Sequence, residues 1–420
     1  MFLIYKISSY LLLPIFFLIL CFRIIFKKET LESLYQKMFP QKNSNFENES
    51  CIWFHAASIG EALSIFPIIN DIKKKRENIF ILITTNTLSS AKIVREKIKN
   101  YKDIDHKFFP LDNPTIIRKF LNIWRPKLAI FVDSEIWPNF LSILKEKNTK
   151  LILLNARITN KTLNRWRYVK FSAKIIFNCF DLCLPCSNES ERNLKQIGVK
   201  KIKYIGNIKF SQDYDFKKYD RIDKTIMSQS KFWCAASIHD GEDEFVLNTH
   251  LKLREKFKNL ITFIIPRHII NTQKIYKKSI SKGLNSQILK KDDVVLKNRE
   301  IIIVNSFGLL SEFFNYCENV FIGKSLMNKF EKDGGQNPIE AAKNGCKIFY
   351  GPNVSNFTEI YKYLDNLQIS KEIKNDNDLV KYLTKNLESS EPKNFKNIEI
   401  LNQNGNDILN KTLNELYRFI

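Results

Sequence analysis

After its first thirty residues the chain repeats one pattern twice: short runs of apolar, β-branched and aromatic residues alternate with longer segments of helical periodicity. Such alternation builds parallel sheets covered by helices. In the first half, strands are expected near positions 52–54, 79–84, 128–132, 151–154 and 182–184, and helices near 61–75, 91–98, 114–124 and 138–147. Asn113 ahead of Pro114 reads as a helix start, a capping side chain followed by a residue whose missing donor costs nothing there. The segment 187–198 opens on Ser187 and stops at Gly198. A polar stretch over 211–230 interrupts the rhythm. It resumes with strands expected near 232–235, 261–265, 301–304, 320–322 and 348–350, and helices near 242–257, 309–316, 338–344, 358–364 and 408–417. At 420 residues, two cores are the natural expectation. The reading is α/β, with Rossmann-like domains over 29–210 and 231–420, a linker over 211–230, and the terminal helix in the second domain.

The first 28 residues are of another kind. Between Ile7 and Phe22 no side chain is charged, and Arg23, Lys27 and Lys28 follow at once. A span needs roughly 20 apolar residues, so this stretch reads as a short membrane-anchor helix, either spanning or inserted in one leaflet. No small-x-small cleavage site follows the apolar run, and the trailing cations place the rest of the chain in the cytoplasm.

The hydrophobic share of 44% and the charged share of 26% exclude large-scale disorder. With 67 Lys and Arg against 44 Asp and Glu, the net charge of +23 points to nucleic acid, an anionic membrane surface or a phosphorylated substrate. A general enrichment in Lys and Asn is the plainer source of that excess. No Arg/Gly-rich tract, zinc finger or RNP-like aromatic motif is present, so nucleic acid is set aside. Eight cysteines lie scattered in apolar stretches, as in a reducing compartment. Cys183 and Cys186 form one Cys-x-x-Cys without the second pair or nearby His that a zinc site needs.

Chemistry falls to the loops at strand ends. The loop 55–61, His-Ala-Ala-Ser-Ile-Gly-Glu, follows a strand and opens a helix. Ser58 and Gly60 let the backbone approach a ligand, and Glu61 either complements the helix dipole or serves as a general base. His55 reads as a satisfied core histidine. Glu135, in the loop 133–138, lies on the same rim, where two carboxylates can divide acid and base roles; a helix-capping charge is the alternative. Arg157 is placed there to meet a carboxylate or phosphate as a fork. In the second half Ser237 sits in a strand–loop–helix turn that suits an anion. Pro266, Arg267 and His268 put two cations at a strand end. Gly334 and Gly335 precede Asn337, Pro338, Ile339 and Glu340, a pattern that suits phosphate on backbone donors and ribose on the carboxylate.

Taken in order, the motifs resemble the Kdo (3-deoxy-D-manno-octulosonic acid) transferases. The resemblance rests on positions 55–61, 134–139, 155–157, the Gly-Asn-Ile-Lys-Phe of 206–210, 236–242, 266–268 and 334–340, and it runs from the N-terminal segment to about position 360. It implies a GT-B glycosyltransferase, two Rossmann-like domains facing a cleft. It also implies inverting transfer of Kdo from CMP-Kdo to a hydroxyl of a lipid A precursor (lipid IVA), with no metal or other cofactor. Glu61 matches the family's proton acceptor; Glu135 and Lys209 match residues that stabilise the transition state. The CMP contacts fall on Pro266, Arg267, Phe307, Gly308, Leu309 and Asn337 to Glu340. The chain departs from the family where Gly308-Leu309-Leu310 replaces a Gly-Glu-Leu and Gln336 replaces a His. Rival readings are a lipid-linked UDP-sugar transferase of the same fold and a non-catalytic, membrane-peripheral binding protein.

Overall fold

The computed structural model describes residues 2–41, 50–214, 221–306, 308–389, 393 and 395–420. They form two compact units, Met1–Gln212 with Asn404–Ile420, and Asp213–Gln403.

The first unit is built on six parallel strands, β1 (Cys51–His55), β2 (Phe80–Thr85), β3 (Ile104–Phe108), β4 (Leu128–Val132), β5 (Lys150–Ala156) and β6 (Leu182–Pro185). Their order is β3-β2-β1-β4-β5-β6. β1, β2 and β4 are buried along their whole length, which is why they read as continuous apolar runs. Trp53 on β1 centres the core, its ring against Phe109, Phe120, Phe131 and Phe140. The order reverses between β1 and β4, and ligands of open α/β sheets bind outside the carboxyl ends at such a reversal.

The second unit repeats the scheme with β7 (Lys231–Ile238), β8 (Leu260–Pro266), β9 (Ser286–Leu289), β10 (Ile301–Val304), β11 (Asn319–Ile322), β12 (Lys347–Tyr350) and β13 (Ser370–Glu372), ordered β13-β12-β11-β7-β8-β10-β9 and parallel throughout. Its reversal lies between β7 and β11.

All ten expected strands form. The three that were missed, β3, β9 and β13, are edge strands with sequences Ile-Asp-His-Lys-Phe, Ser-Gln-Ile-Leu and Ser-Lys-Glu. An edge strand has one neighbour and needs no apolar run. Helices Pro114–Trp124 and Asn188–Ile197 carry the expected ends: Asn113 accepts from the amides of Thr115 and Ile116, and Gly198 stops the second at φ 91°. Helices Asn160–Arg167, Lys170–Phe177, Thr272–Ser281 and Asp376–Ser389 were not foreseen. The expected linker contains helix Lys224–Gln229, and its positions 215–220 lie outside the described residues.

Two expectations are corrected. The terminal helix is longer, Phe395–Leu416, and residues from Asn404 onward belong to the first unit. There Tyr417 donates to Asp71 at 2.7 Å, Glu415 pairs with Lys203 at 2.6 Å, and Gly405 lies so close to the Phe210 carbonyl that no Cβ fits. The N-terminal segment is not one anchor helix. It is two, Phe2–Leu11 and Leu13–Ile25, bent by 54°, and among the described residues no single helix is long and apolar enough to cross a membrane. Pro14 in the first turn of the second helix is the cause, since it lacks a donor and crowds the preceding turn. The pair rests on the first unit: Tyr5 donates to Asp112 at 2.8 Å, and Asn113 donates to the Ser9 carbonyl at 3.2 Å. At its far end Glu29 is buried between Arg23 and Lys37.

Candidate active site

At the β1/β4 reversal four ionisable side chains converge. Glu61 stands in the first turn of helix Ile59–Lys75. Ser58 caps that helix, accepting from the Glu61 amide and donating to Glu61 Oε1 at 2.7 Å, while the Ala57 amide donates to Oε2 at 2.8 Å. The capping contacts and the candidate base are therefore one residue: the cap fixes the rotamer in which the carboxylate is held. Gly60 is open on its Cα side and its carbonyl accepts from Gln212.

Asp133, just past β4, has φ 63° and forms a buried ion pair with Lys209 at 2.9 Å. Asn155 clamps this arrangement. A bulge at the end of β5 turns it to φ 55°, so that its side chain donates to Asp133 at 3.1 Å and accepts from the Ile208 amide at 3.1 Å. Asn207 accepts from the Lys209 amide, fixing the short helix Ile208–Ser211 on which Lys209 rides. Arg157 joins the same rim through its backbone, its amide on the Asp133 carbonyl and its carbonyl accepting from Ser134.

Glu135 faces the cluster from the β4 loop. His55 and Trp137 both meet its Oε2, at 3.1 and 2.8 Å. The two glutamates are pushed apart electrostatically. Burial, then the nearby Asp133, raise the Glu61 pKa above the usual carboxylate range; the Ser58 hydrogen bond only partly opposes this. Burial works against the Glu135 charge as well, but the His55 and Trp137 hydrogen bonds outweigh it and hold Glu135 below its ordinary value. Burial likewise opposes the charge of Lys209, and Asp133 followed by Glu61 reverses the balance, so the ammonium is held above its ordinary value. One carboxyl poised to take a proton beside one fixed as an anion is the arrangement that divides acid–base roles. Of the residues in this cluster, Asp133, Asn155 and His55 were not read as functional. The positive-φ Asn155 and Asp133 leave no mark in the sequence beyond their residue types.

The second unit carries a cationic cluster at its own reversal. Ser237 sits at φ 54° in a bulge at the end of β7, and the Arg267 amide donates to the Ile238 carbonyl. His239 is surrounded by His268, Lys324, Arg267 and Lys329. Burial first and these cations next depress its pKa to about 4. The signal for Lys324 and Lys329 was the basic run 324–332. Glu242 holds the loop together, accepting from the amides of His239, Lys324, Ser325 and Leu326.

The paired glycines need correction. Gly335 donates its amide to the Lys324 carbonyl at 2.6 Å, and a Cβ on Gly334 would overlap the carbonyl oxygen of Asn353. They serve close packing of the loop, and the Gly335 donor is not free for phosphate. Gly334→Ala is expected to cost about 1–3 kcal/mol, as overpacking does, read as a lower thermal midpoint of the second unit. Asn337 caps the Ile339 amide at 3.1 Å, Pro338 precedes the short helix Ile339–Lys343, and Ile339 is fully buried, a core side chain. Glu340 accepts from Ser311, which brings the 308–311 segment beside it; burial raises its pKa. The Tyr214 phenol hydrogen-bonds the Asn337 side chain beside Glu340. Leu309 is buried, Gly308 has φ 81° with open space at its Cα, and Phe307 lies outside the described residues.

The family model described as 3-deoxy-D-manno-octulosonic-acid transferase (kdotransferase) matches residues 32–212, the unit that holds Glu61, Glu135 and Lys209. A 3-deoxy-D-manno-octulosonic acid transferase of Rickettsia conorii is 30% identical over 442 residues, covering 93% of this chain and 93% of that one. The chain belongs to the Kdo transferase family. The Kdo transferase of Rickettsia prowazekii is 28% identical over 100% of both chains. Among solved structures, a putative UDP-N-acetylglucosamine 2-epimerase of Listeria monocytogenes aligns with TM-score 0.59 at 13% identity, over 87% of this chain and 95% of that one. A glycosyltransferase of Rickettsia africae aligns with TM-score 0.56 at 12% identity, over 89% and 99%. These likenesses bear on fold alone: two parallel-sheet α/β units of the GT-B class. As a Kdo transferase family member the chain is a glycosyltransferase.

Proposed function

We propose that the chain moves Kdo from CMP-Kdo to a hydroxyl of a lipid A precursor, with inversion and without a metal. The observation that carries this reading is the Glu61–Asp133–Lys209–Glu135 cluster at the β1/β4 reversal, in a chain of this family. Glu61 takes the proton of the acceptor hydroxyl; the acceptor oxygen bonds to the anomeric carbon of Kdo as its bond to the CMP phosphate oxygen breaks. Charge on the departing phosphate is met by the Arg267, His268, Lys324 and Lys329 group of the second unit, and Glu340 with Asn337 is assigned to the ribose side. The exposed Leu3, Ile7, Leu11, Leu18, Phe22 and Ile25 of the N-terminal helix pair, with Arg23 near its end and Lys27 and Lys28 after it, support seating on the anionic cytoplasmic leaflet of the inner membrane.

The test is to incubate detergent-purified protein with CMP-Kdo and tetraacylated lipid A precursor in chelator and weigh the lipid by mass spectrometry. A gain of one or more Kdo masses is expected. No gain with both substrates intact, or gain from UDP-sugars instead, overturns the reading.

A further inference from the structure

His55 is fully buried at the end of β1, its ring stacked on Phe109 at 3.7 Å and edge-on to Phe131. A histidine so placed ordinarily satisfies itself locally, and this one does so in a directed way. The Trp53 indole, which can only donate, donates to Thr84 Oγ1 at 2.9 Å. The Thr84 carbonyl already accepts from the Ala56 amide. His55 Nδ1 meets two atoms of Thr84, its hydroxyl at 3.0 Å and its carbonyl at 3.2 Å. An ionised carboxylate can only accept, so the 3.1 Å contact of Nε2 with Glu135 Oε2 is made by a proton on Nε2. The Trp137 indole, again an obligate donor, meets the same oxygen. Among the described residues Oε1 of Glu135 has no hydrogen-bond partner, and the Glu135 side chain is 17% exposed.

We infer that His55 is a positioning residue for the transfer reaction: held by Thr84 and stacked on Phe109, it ties one oxygen of Glu135 together with Trp137 and presents the other, ionised, to the reacting centre. This rests on the Kdo-transfer reading for what the presented oxygen acts on, but not for its charge or orientation. The groups that set that charge are His55 from β1, with Trp137 and Asp133 from its own loop; Glu61, whose own pKa Glu135 raises, faces it with Lys209 in the neighbouring cluster. Buried and without its donors, Glu135 would rise toward the protonated form, because burial penalises the anion.

The experiment compares His55→Phe, which keeps the volume and the stack on Phe109, with His55→Gln, whose amide nitrogen retains a donor toward Glu135. The Phe variant is expected to lose about tenfold to a hundredfold in kcat with KM for CMP-Kdo unchanged, and the acid limb of its rate profile moves to higher pH. The Gln variant regains most of the rate and the original limb. A second reading needs no turnover: the carbon resonance of the Glu135 carboxyl, assigned by its absence in Glu135→Gln, titrates at higher pH in His55→Phe than in the native protein or His55→Gln. Equal loss in both variants with an unmoved titration overturns the inference and leaves His55 a core residue. An inactive native protein with the titration shift intact would count against the Kdo reading and not against this one.

Discussion

Glu61→Gln is expected to lower Kdo transfer by about 10²–10⁴-fold, the range for losing a positioned general base, while CMP binding and the thermal midpoint stay close to native. The two outcomes separate because the side chain does two things. Its oxygens accept from the Ala57 amide and the Ser58 hydroxyl. A glutamine keeps one acceptor for the amide, and the Ser58 hydroxyl can rotate to receive from the new NH₂, so the helix start survives; outright loss of such a cap costs about 1 kcal/mol. Only the proton-accepting capacity disappears. A pH profile gives the same residue a second test. A base works deprotonated, and burial followed by Asp133 holds Glu61 above the usual carboxylate range, so the rate should climb with pH through a limb lying above the ordinary value of about 4.3. Asp133→Asn removes the charged neighbour and should move that limb to lower pH. Loss of CMP binding together with transfer in Glu61→Gln would reduce Glu61 to a structural role.

What the sequence makes legible depends on the kind of residue. Strands buried on both faces are written as apolar runs, and β1, β4 and β10 were bounded closely for that reason. β13, Ser-Lys-Glu, carries no such run and is defined by its pairing with β12. Glu61 and Glu135 were legible because loops at the carboxyl ends of parallel strands are where ligands bind. That they could divide acid and base roles was read from their shared rim; the contacts that separate them were not, since Asp133, Lys209 and His55 arrive from the end of β4, a segment 76 residues further on, and β1. The paired glycines misled for the opposite reason. A glycine beside a helix start reads as a phosphate cradle, yet here the close approach is to Asn353 and Val354, a contact between distant loops that no local pattern announces. The N-terminal segment was legible as apolar, and its break at Pro14 was in plain view; what the composition did not convey is that Tyr5 and Ser9 fasten the first helix to Asp112 and Asn113.

Lys209→Met is expected to cost about 3–5 kcal/mol, the usual penalty for removing one partner of a buried pair, and to abolish transfer at neutral pH. Asp133 and Lys209 are both nearly buried, with side chains 9% and 11% exposed. Without the ammonium, Asp133 keeps its bond from Asn155 but loses the cation that balances it. Glu61 then faces Asp133 and Glu135 without the Lys209 charge, and its pKa moves further up, because Lys209 is one of the groups that hold it down. The protonated base is inactive, so part of the lost rate should return as pH is raised in Lys209→Met, which Glu61→Gln can never show. The double variant Lys209→Met/Asp133→Asn replaces the ion pair by neutral groups of similar volume and should recover most of the thermal midpoint, as such replacements commonly do. Its rate decides between two roles for the lysine. If transfer returns along with stability, the pair only holds Asn155 and the β4 loop in place. If stability returns and transfer does not, the charge of Lys209 itself acts in the reaction, which is the outcome expected from its interaction with both Asp133 and Glu61.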